Sequence, residues 1–431
     1  MGNDIVDVIV VCAGPAGVSA AITLAKANKK VLLVDRGDSA GDKNMFGGVI
    51  YAKQTAEIFP SFWEDAPIER AVNTQKIYML TDYNASIFEF DCSEKGSYKA
   101  FTVNRSKWDR WCVEQAVRQG AYYAPKTVVK SLLTEFGKVI GIETEQEKYY
   151  AEIVILADGV NSLLAKQIGL RKEIEDKDVT LAVKEVIKLP REVINDRFGI
   201  DDNGGCGCKV VGGPLKDVFA MGFIYTDKDA VSIGYGISLD DLKKKKITPY
   251  ELLDELKAHP TIAKLIKDGK TIEYSAHMIP EGGAIKLPKI YDDNVMIVGD
   301  AAMLVNNIHM EGTNLAMLSG KLAAETAIES LTRHDHSAEF LKNYYKKLKN
   351  SIVLKDLQTH RNTVPFIKKH IKTLTNLYPE LAQEFFKVLT EADDVPKYKK
   401  YRRFARKIIM SGAIFKSIPL GLFALEKCFK K

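Results

Sequence analysis

The stretch Val10-Val11-Cys12-Ala13-Gly14-Pro15-Ala16-Gly17 decides how this chain is read. Ahead of it, Asp7 to Val11 is apolar and β-branched enough for a buried parallel strand; behind it, Pro15 to Ala27 has the small-residue, apolar pattern of a helix. A second strand, Lys30 to Val34, ends at Asp35, at the distance where an acidic side chain holds a ribose hydroxyl pair. This βαβ unit predicts a dinucleotide whose pyrophosphate rests on the helix N-terminus, where unpaired N–H groups and the macrodipole favour an anion. Cys12 stands where the fingerprint has its first glycine. Its side chain enters the tight turn, which predicts weakened but not abolished binding.

At 431 residues the chain is long enough for two to three domains. Its six cysteines, at 12, 92, 112, 206, 208 and 428, form neither a disulfide ladder nor paired C-x-x-C knuckles, which predicts a reducing cytosol. Asp4 and Asp7 interrupt the apolar start, so no signal peptide is expected, and no apolar run reaches the roughly eighteen residues needed to span a bilayer. The net charge of +6 is unevenly spread. Residues 397 to 431 hold eleven Lys or Arg against one acid, Glu426, a net +10 that leaves −4 for residues 1 to 396. A helical wheel places Tyr401, Phe404, Ala405, Ile408 and Phe415 on one face and Arg402, Arg403 and Arg406 on the other, as in an interfacial helix. A terminal helix docked on the core is the alternative. Nucleic acid is disfavoured, because the main body is acidic and no binding module accompanies the tail.

The fold class expected is α/β: a discontinuous Rossmann-like nucleotide domain, an inserted antiparallel-sheet substrate domain and a helical C-terminal region. Residues 1–169 form the first part. A Gly-rich loop, Gly41 to Gly48, follows the second strand; a helix begins near Lys107; the strand Tyr149 to Leu156 is closed by Asp158-Gly159. Within 170–289, Leu181 to Leu189, Val218 to Tyr225 and Ala230 to Ile237 are strand-like runs separated by turn residues. Cys206-Gly207-Cys208 reads as part of a Gly-rich loop, and two thiolates cannot supply the four ligands of a cluster, so no metal is expected. Residues 290–335 resume the nucleotide domain with Val295 to Val298, Gly299-Asp300 and a long helix from Glu311 to Leu331. Residues 336–431 read as helical.

One glycine fingerprint says little, but Asp158-Gly159 after a middle strand and Gly299-Asp300 after a late one give the order found in a large class of flavoproteins. A long dinucleotide must be held at both ends. The expected FAD contacts are Cys12, Ala13, Gly14, Pro15, Ala16 and Gly17 at the pyrophosphate, Asp35 and Arg36 at the adenosine ribose, and Asp300 with Gly299 at the ribityl chain. Lys43, Gly47, Gly48, Arg105 and Asp158 join them from the intervening loops. Gly312, Thr313 and Asn314 open a helix aimed at the flavin, where its partial positive charge stabilises an anionic reduced ring. His309 and Glu311 are candidate catalytic residues in the flavin environment; for His309, a capping or packing role is the alternative to proton donation. There is no second fingerprint for NAD(P)H and no C-x-x-x-x-C pair for disulfide chemistry, so electrons are expected to enter from a partner or substrate.

With these motifs assembled, the chain resembles the FixC-type flavoproteins, relatives of electron-transfer-flavoprotein:ubiquinone oxidoreductase within the geranylgeranyl-reductase-related FAD superfamily. The resemblance rests on Lys43-Asn44 with Gly47 to Tyr51, Ala157 to Ala165, Lys184-Glu185-Val186, Gly222 to Thr226, Pro280-Glu281-Gly282-Gly283, and Gly299 to Ala302. His309 to Met317 is its most diagnostic stretch, and Lys355-Asp356-Leu357 and Tyr378-Pro379 carry it into the helical tail. Met303, Asn307 and Met310 depart from the family's usual Gly, Pro and Arg. The resemblance implies FAD, a quinone-binding domain, and electrons received from an electron-transfer flavoprotein, with any ferredoxin-like iron–sulfur cluster on another polypeptide. It also implies a peripheral position at an anionic membrane surface, on the inner face of the cell membrane. Reduction of prenyl double bonds and a flavin-poor scaffold role are the rival readings.

Overall fold

The computed structural model describes residues 5–42, 48–92 and 99–429, which fall into two compact units. The first comprises residues up to Ala71, Tyr98–Thr180 and Ala276–Arg361; the second comprises Val72–Ser97, Leu181–Ser275 and the chain from Asn362 onward. Lys43, Asn44 and Gly47 lie outside the described residues.

In the first unit, β1 (Val6–Val11), α1 (Pro15–Lys26), β2 (Val31–Val34), α2 (Arg105–Arg118), β3 (Tyr122–Ala124), β4 (Lys148–Leu156), β5 (Val295–Ile297) and α3 (Thr313–Arg333) build the frame. Five strands run parallel in the order β3-β2-β1-β4-β5, with Val10 opposite both Leu33 and Ile155, and Leu156 opposite Ile297. Val8, Ile9, Val10, Ile153, Val154 and Ile155 are fully buried, and the strand sequences are accordingly near-continuous apolar runs. Each such side chain contributes about 1.5–3 kcal/mol when fully buried.

Small residues bring α1 against α3. A Cβ on Gly320 would lie 2.0 Å from the carbonyl oxygen of Ala16, and one on Gly17 would lie 1.9 Å from that of Cys12. Neither position admits a side chain without moving backbone. Trp108 and Trp111 of α2 stack at 5.3 Å and pack with Phe59, while Phe62 meets Trp108 edge-on. The helices α4 (Ala338–Asn350) and α5 (Ile352–His360) complete the unit, and Tyr344 hydroxyl donates to the Ile297 carbonyl at 3.0 Å.

The second unit is organised by antiparallel pairing. Gly204–Gly212 pairs with Ala220–Thr226, which pairs with Ala230–Ser238; Ala85–Asp91 pairs with Ile68–Leu80. Cys206 and Cys208 are therefore not in a loop: they lie on the strand Gly204–Gly212, fully buried, with their sulfurs 3.5 Å apart. The alternation Cys206, Cys208, Val210 places all three side chains on one face, packed with Tyr78, Ile224 and Tyr235.

The rest of the chain is helical, ending in α6 (Tyr378–Thr390), α7 (Lys397–Ser411) and α8 (Ala413–Phe429). The continuous tail helix expected from the wheel is broken at Gly412, which adopts φ 65°, and α7 and α8 meet at a 65° bend. Phe415 thus belongs to another helix than Phe404, whose ring lies 5.9 Å from that of Phe385 on α6. Lys407 lies 3.8 Å from both Glu380 and Glu384, so part of α7 is docked. Ile409, Met410, Ile414, Phe415, Ile418, Leu422 and Leu425 remain exposed. Among the described residues, no single helix is long and apolar enough to cross a membrane; the bent α7–α8 pair passes by length and composition.

Candidate functional site

The turn between β1 and α1 is held from beneath. Cys12 N–H donates to the Val34 carbonyl at 2.8 Å, Ala13 N–H to Asp35 Oδ2 at 2.8 Å, and Gly37 N–H to Asp35 Oδ1 at 2.7 Å. Asp35 thus organises the turn through both oxygens, each of which retains a lone pair for a ribose hydroxyl. Gly14 is the extended N-cap of α1 and Pro15 occupies its first position, where a missing N–H is harmless. Cys12 adopts φ 78°, the left-handed region that glycine occupies without steric cost. Burial, with Asp35 and Asp158 nearby, pushes its thiol up, so it stays protonated and unreactive.

Asp300 lies in the turn after β5, and burial raises its carboxyl to about 6 against the opposing pull of Arg105 and Arg171. Arg105 is buried and makes a two-pronged contact with Asp109, at 2.9 Å through Nε and 2.8 Å through Nη2. Asp158, whose pKa burial also raises, accepts the Leu164 N–H at 3.2 Å and fixes the turn after β4. Arg36 is exposed.

The segment entering α3 differs from expectation. The helix starts at Thr313, two residues after Glu311, because Glu311 exchanges paired backbone hydrogen bonds with Asn306 at 2.8 and 3.0 Å and so closes a short loop. Gly312 is the N-cap and supplies no side-chain cap. The first-turn N–H groups of α3 are thereby kept for another acceptor. Asn314 Nδ2 donates to Glu311 Oε2 at 3.0 Å, and the tip of the loop carries His309. Met303 and Met310 take φ 62° and 59°.

Three participants had no assigned role from the sequence. Arg171 donates to the Ala301 carbonyl and contacts Met303 Sδ, each at 3.0 Å, pinning the turn that carries Asp300. His277 is held neutral, with burial and the charges of Arg105 and Arg36 lowering its pKa to about 4. Tyr51 is pushed up to about 12 by burial and by Glu311. A lone Arg or His between motifs gives no spacing signal; Tyr51 adjoins the Gly-rich loop and was visible only as part of a matching stretch.

Two enclosed polar atoms, Asn306 Nδ2 and Asn314 Oδ1, find no hydrogen-bond partner among the described residues. Buried polar groups are nearly always satisfied, so this pair flanking the α3 N-terminus fits the donor and acceptor edge of a flavin ring. The glycine-containing turn, the Asp35 carboxylate beneath it and the polar edge together define the class: an FAD-dependent oxidoreductase. Residues 5–197 match the FAD binding domain family and residues 180–279 match the family described as ETF-QO, ubiquinone-binding. The chain belongs to the FixC family. It is 37% identical to Protein FixC of Salmonella typhi over 95% of this chain and 96% of that one. It is 38% identical to the probable electron transfer flavoprotein-quinone oxidoreductase YdiS of Escherichia coli, over 96% of each. Among solved structures, a geranylgeranyl bacteriochlorophyll reductase-like protein of Thermoplasma acidophilum shares the fold, with a TM-score of 0.73 and 21% identity over 94% of this chain and 95% of that one. The flavin-dependent brominase Bmp2 does so at a TM-score of 0.66 and 16% identity over 94% and 99%.

Proposed function

We propose that the protein passes electrons from an electron-transfer flavoprotein, directly or through a separate ferredoxin-like subunit, to a membrane quinone. The observation that carries this reading is the match of residues 180–279 to a ubiquinone-binding family, joined in one chain to an FAD-binding frame. When bound, FAD supplies the two-electron carrier. The chain's own residues orient it: Asp35 at the ribose, the Cys12 to Gly17 turn at the pyrophosphate, Asp300 at the ribityl hydroxyls, and the α3 N-terminus, Asn306 and Asn314 at the ring. Arg36, Arg105, Asp158, Gly48, Gly299 and the loop holding Lys43 and Gly47 complete the proposed contacts. Glu311, fixed by Asn314, and His309 stand at the ring's edge.

The α7–α8 tail supports placement at an anionic bilayer, on the inner face of the cell membrane. A basic run from Lys397 to Lys407 is followed by exposed apolar side chains from Ile409 to Leu425, each basic residue near such a surface contributing about 1 kcal/mol. The test is anaerobic: flavin-loaded protein, reduced stoichiometrically, is mixed with a ubiquinone analogue and the visible flavin bands are followed. Prompt return of the oxidised spectrum is expected. Reoxidation by a prenyl lipid but by no quinone would replace this reading with double-bond reduction, and a purified protein without flavin bands would replace it with a scaffold role.

A further inference from the structure

The loop from Asn306 to Glu311 carries His309 at its exposed tip, with its N–H directed at Asn306 Oδ1. His309 Nε2 lies 3.3 Å from Nε2 of His360, the last residue of α5; the rings meet edge-on, 4.8 Å between centroids and 72° between planes. Two imidazole nitrogens in this arrangement hold one proton between them, one ring donating and the other accepting. A doubly protonated pair would set two cations in contact, so the pair carries at most one extra charge. His360 Nδ1 is enclosed by protein, whereas the His309 side chain is exposed. His309 is the more exposed ring and, with Nε2 engaged by His360, has Nδ1 left to meet water.

Building on the electron-transfer reading above, we propose that His309 carries the protons that accompany electrons to the acceptor, and that His360 is the positioning residue that fixes its ring and tautomer. Reduction of a quinone to a quinol takes two electrons, from reduced flavin, and two protons. Each proton is taken from water by His309 Nδ1 and released from that atom to a quinone oxygen, the N–H bond breaking as the O–H bond forms. His360 keeps its own proton throughout and accepts the hydrogen bond from His309 Nε2.

Charged groups on the neighbouring elements set the background. In the loop, Glu311 is held by Asn314. On α5, Lys355 and Asp356 stand a turn before His360 and Arg361 follows it. The Gly283–Ile285 turn, packed on α5, is flanked by Glu281, which accepts from Thr180, and by Lys286, paired with Glu175 and Asp178. From α4, Lys347 pairs with Glu329 at 3.0 Å, and Lys346 and Lys349 are exposed; from α3, Lys321 pairs with Glu57 and Glu325.

Nitrogen-15 spectra of the imidazoles in the flavin-loaded protein read the tautomer directly. His309 is expected as the Nε2–H form in the wild type, as the mixture of a free imidazole in His360→Leu, and again as Nε2–H in His360→Gln, whose amide oxygen accepts the same bond. Reduced protein mixed with a water-soluble quinone is expected to react roughly tenfold more slowly in His360→Leu, with a displaced pH profile, and to recover in His360→Gln. An unchanged His309 tautomer in His360→Leu overturns the positioning role. A changed tautomer with an unchanged rate and pH profile overturns the carrier role. Failure of the wild type to reduce any quinone overturns the acceptor itself, a separable result because the tautomer is read without quinone.

Discussion

Arg171 is tied to Met303: one guanidinium nitrogen lies 3.0 Å from the thioether sulfur while another donates to the Ala301 carbonyl at the same distance. The contact spans the turn that presents Asp300, at a position where Met303 holds a left-handed conformation. Arg171→Met is expected to leave the Ala301 carbonyl unsatisfied, at a cost of about 1–3 kcal/mol. Thermal unfolding together with flavin content checks this. A variant with wild-type stability and full flavin would show that the turn holds itself.

Cys12→Gly is expected to stabilise the protein and tighten FAD. A non-glycine residue in the left-handed region costs of order 1–3 kcal/mol, and the substitution removes that strain together with a side chain from the phosphate turn. Flavin retained through dilution and gel filtration, with the unfolding midpoint, measures both. Equal retention by the two proteins would mean that the turn tolerates cysteine.

Asp300→Asn is expected to separate stability from cofactor binding. The folded carboxyl titrates near 6, above its ordinary 3.8, so the folded protein without flavin binds the extra proton between those values. Its stability therefore falls as pH rises from about 3.8 to about 6 and levels off above, and the neutral variant should be more stable at pH 7 by of order 1–3 kcal/mol. Flavin content should fall, because the ribityl hydroxyls lose a charged acceptor. Normal flavin content in this variant would remove Asp300 from the site.

His277 gives the opposite slope. Its folded pKa of about 4 lies below the ordinary 6.5, so the unfolded chain takes up a proton first and stability falls as pH drops from 6.5 towards 4. In the wild type the two slopes oppose each other between about 4 and 6. Denaturant titrations over this range should be flatter for the wild type than for Asp300→Asn, which exposes the His277 slope alone. A matching pH dependence in the two proteins would refute the assignment.

Phe415→Glu with Ile418→Glu is expected to abolish sedimentation with anionic vesicles while leaving flavin content unchanged. Full removal of the tail is a poorer test, since Phe404 and Lys407 dock α7 against α6. High salt should weaken wild-type binding only in part, because apolar burial persists when charges are screened. Absence of vesicle binding by the wild type at low salt would assign the tail to docking alone.

The parallel sheet was legible because β1, β4 and β5 are buried on both faces and their β-branched runs have no other use. The strand around Cys206 was missed although Cys206, Cys208 and Val210 alternate; the glycines at 204, 205 and 207 weigh towards a loop until neighbouring strands supply the pairing. The start of α3 was displaced by two residues because the Asn306–Glu311 bridge, a tertiary choice, takes up the backbone of Glu311. Arg171 and His277 acquire their neighbours only through folding, and no local pattern marks them.

The contact of Gly320 with Ala16 has a consequence for how the protein is made. Its partners are separated by some three hundred residues of chain, and β5, which borders β4, emerges little earlier than α3. During synthesis the N-terminal strands must wait with apolar faces uncovered until the ribosome has released residues beyond 333, an interval in which chaperones and premature aggregation compete for them. Slow translation early in the message, or a truncation anywhere before α3, should therefore yield insoluble chain instead of a smaller folded domain.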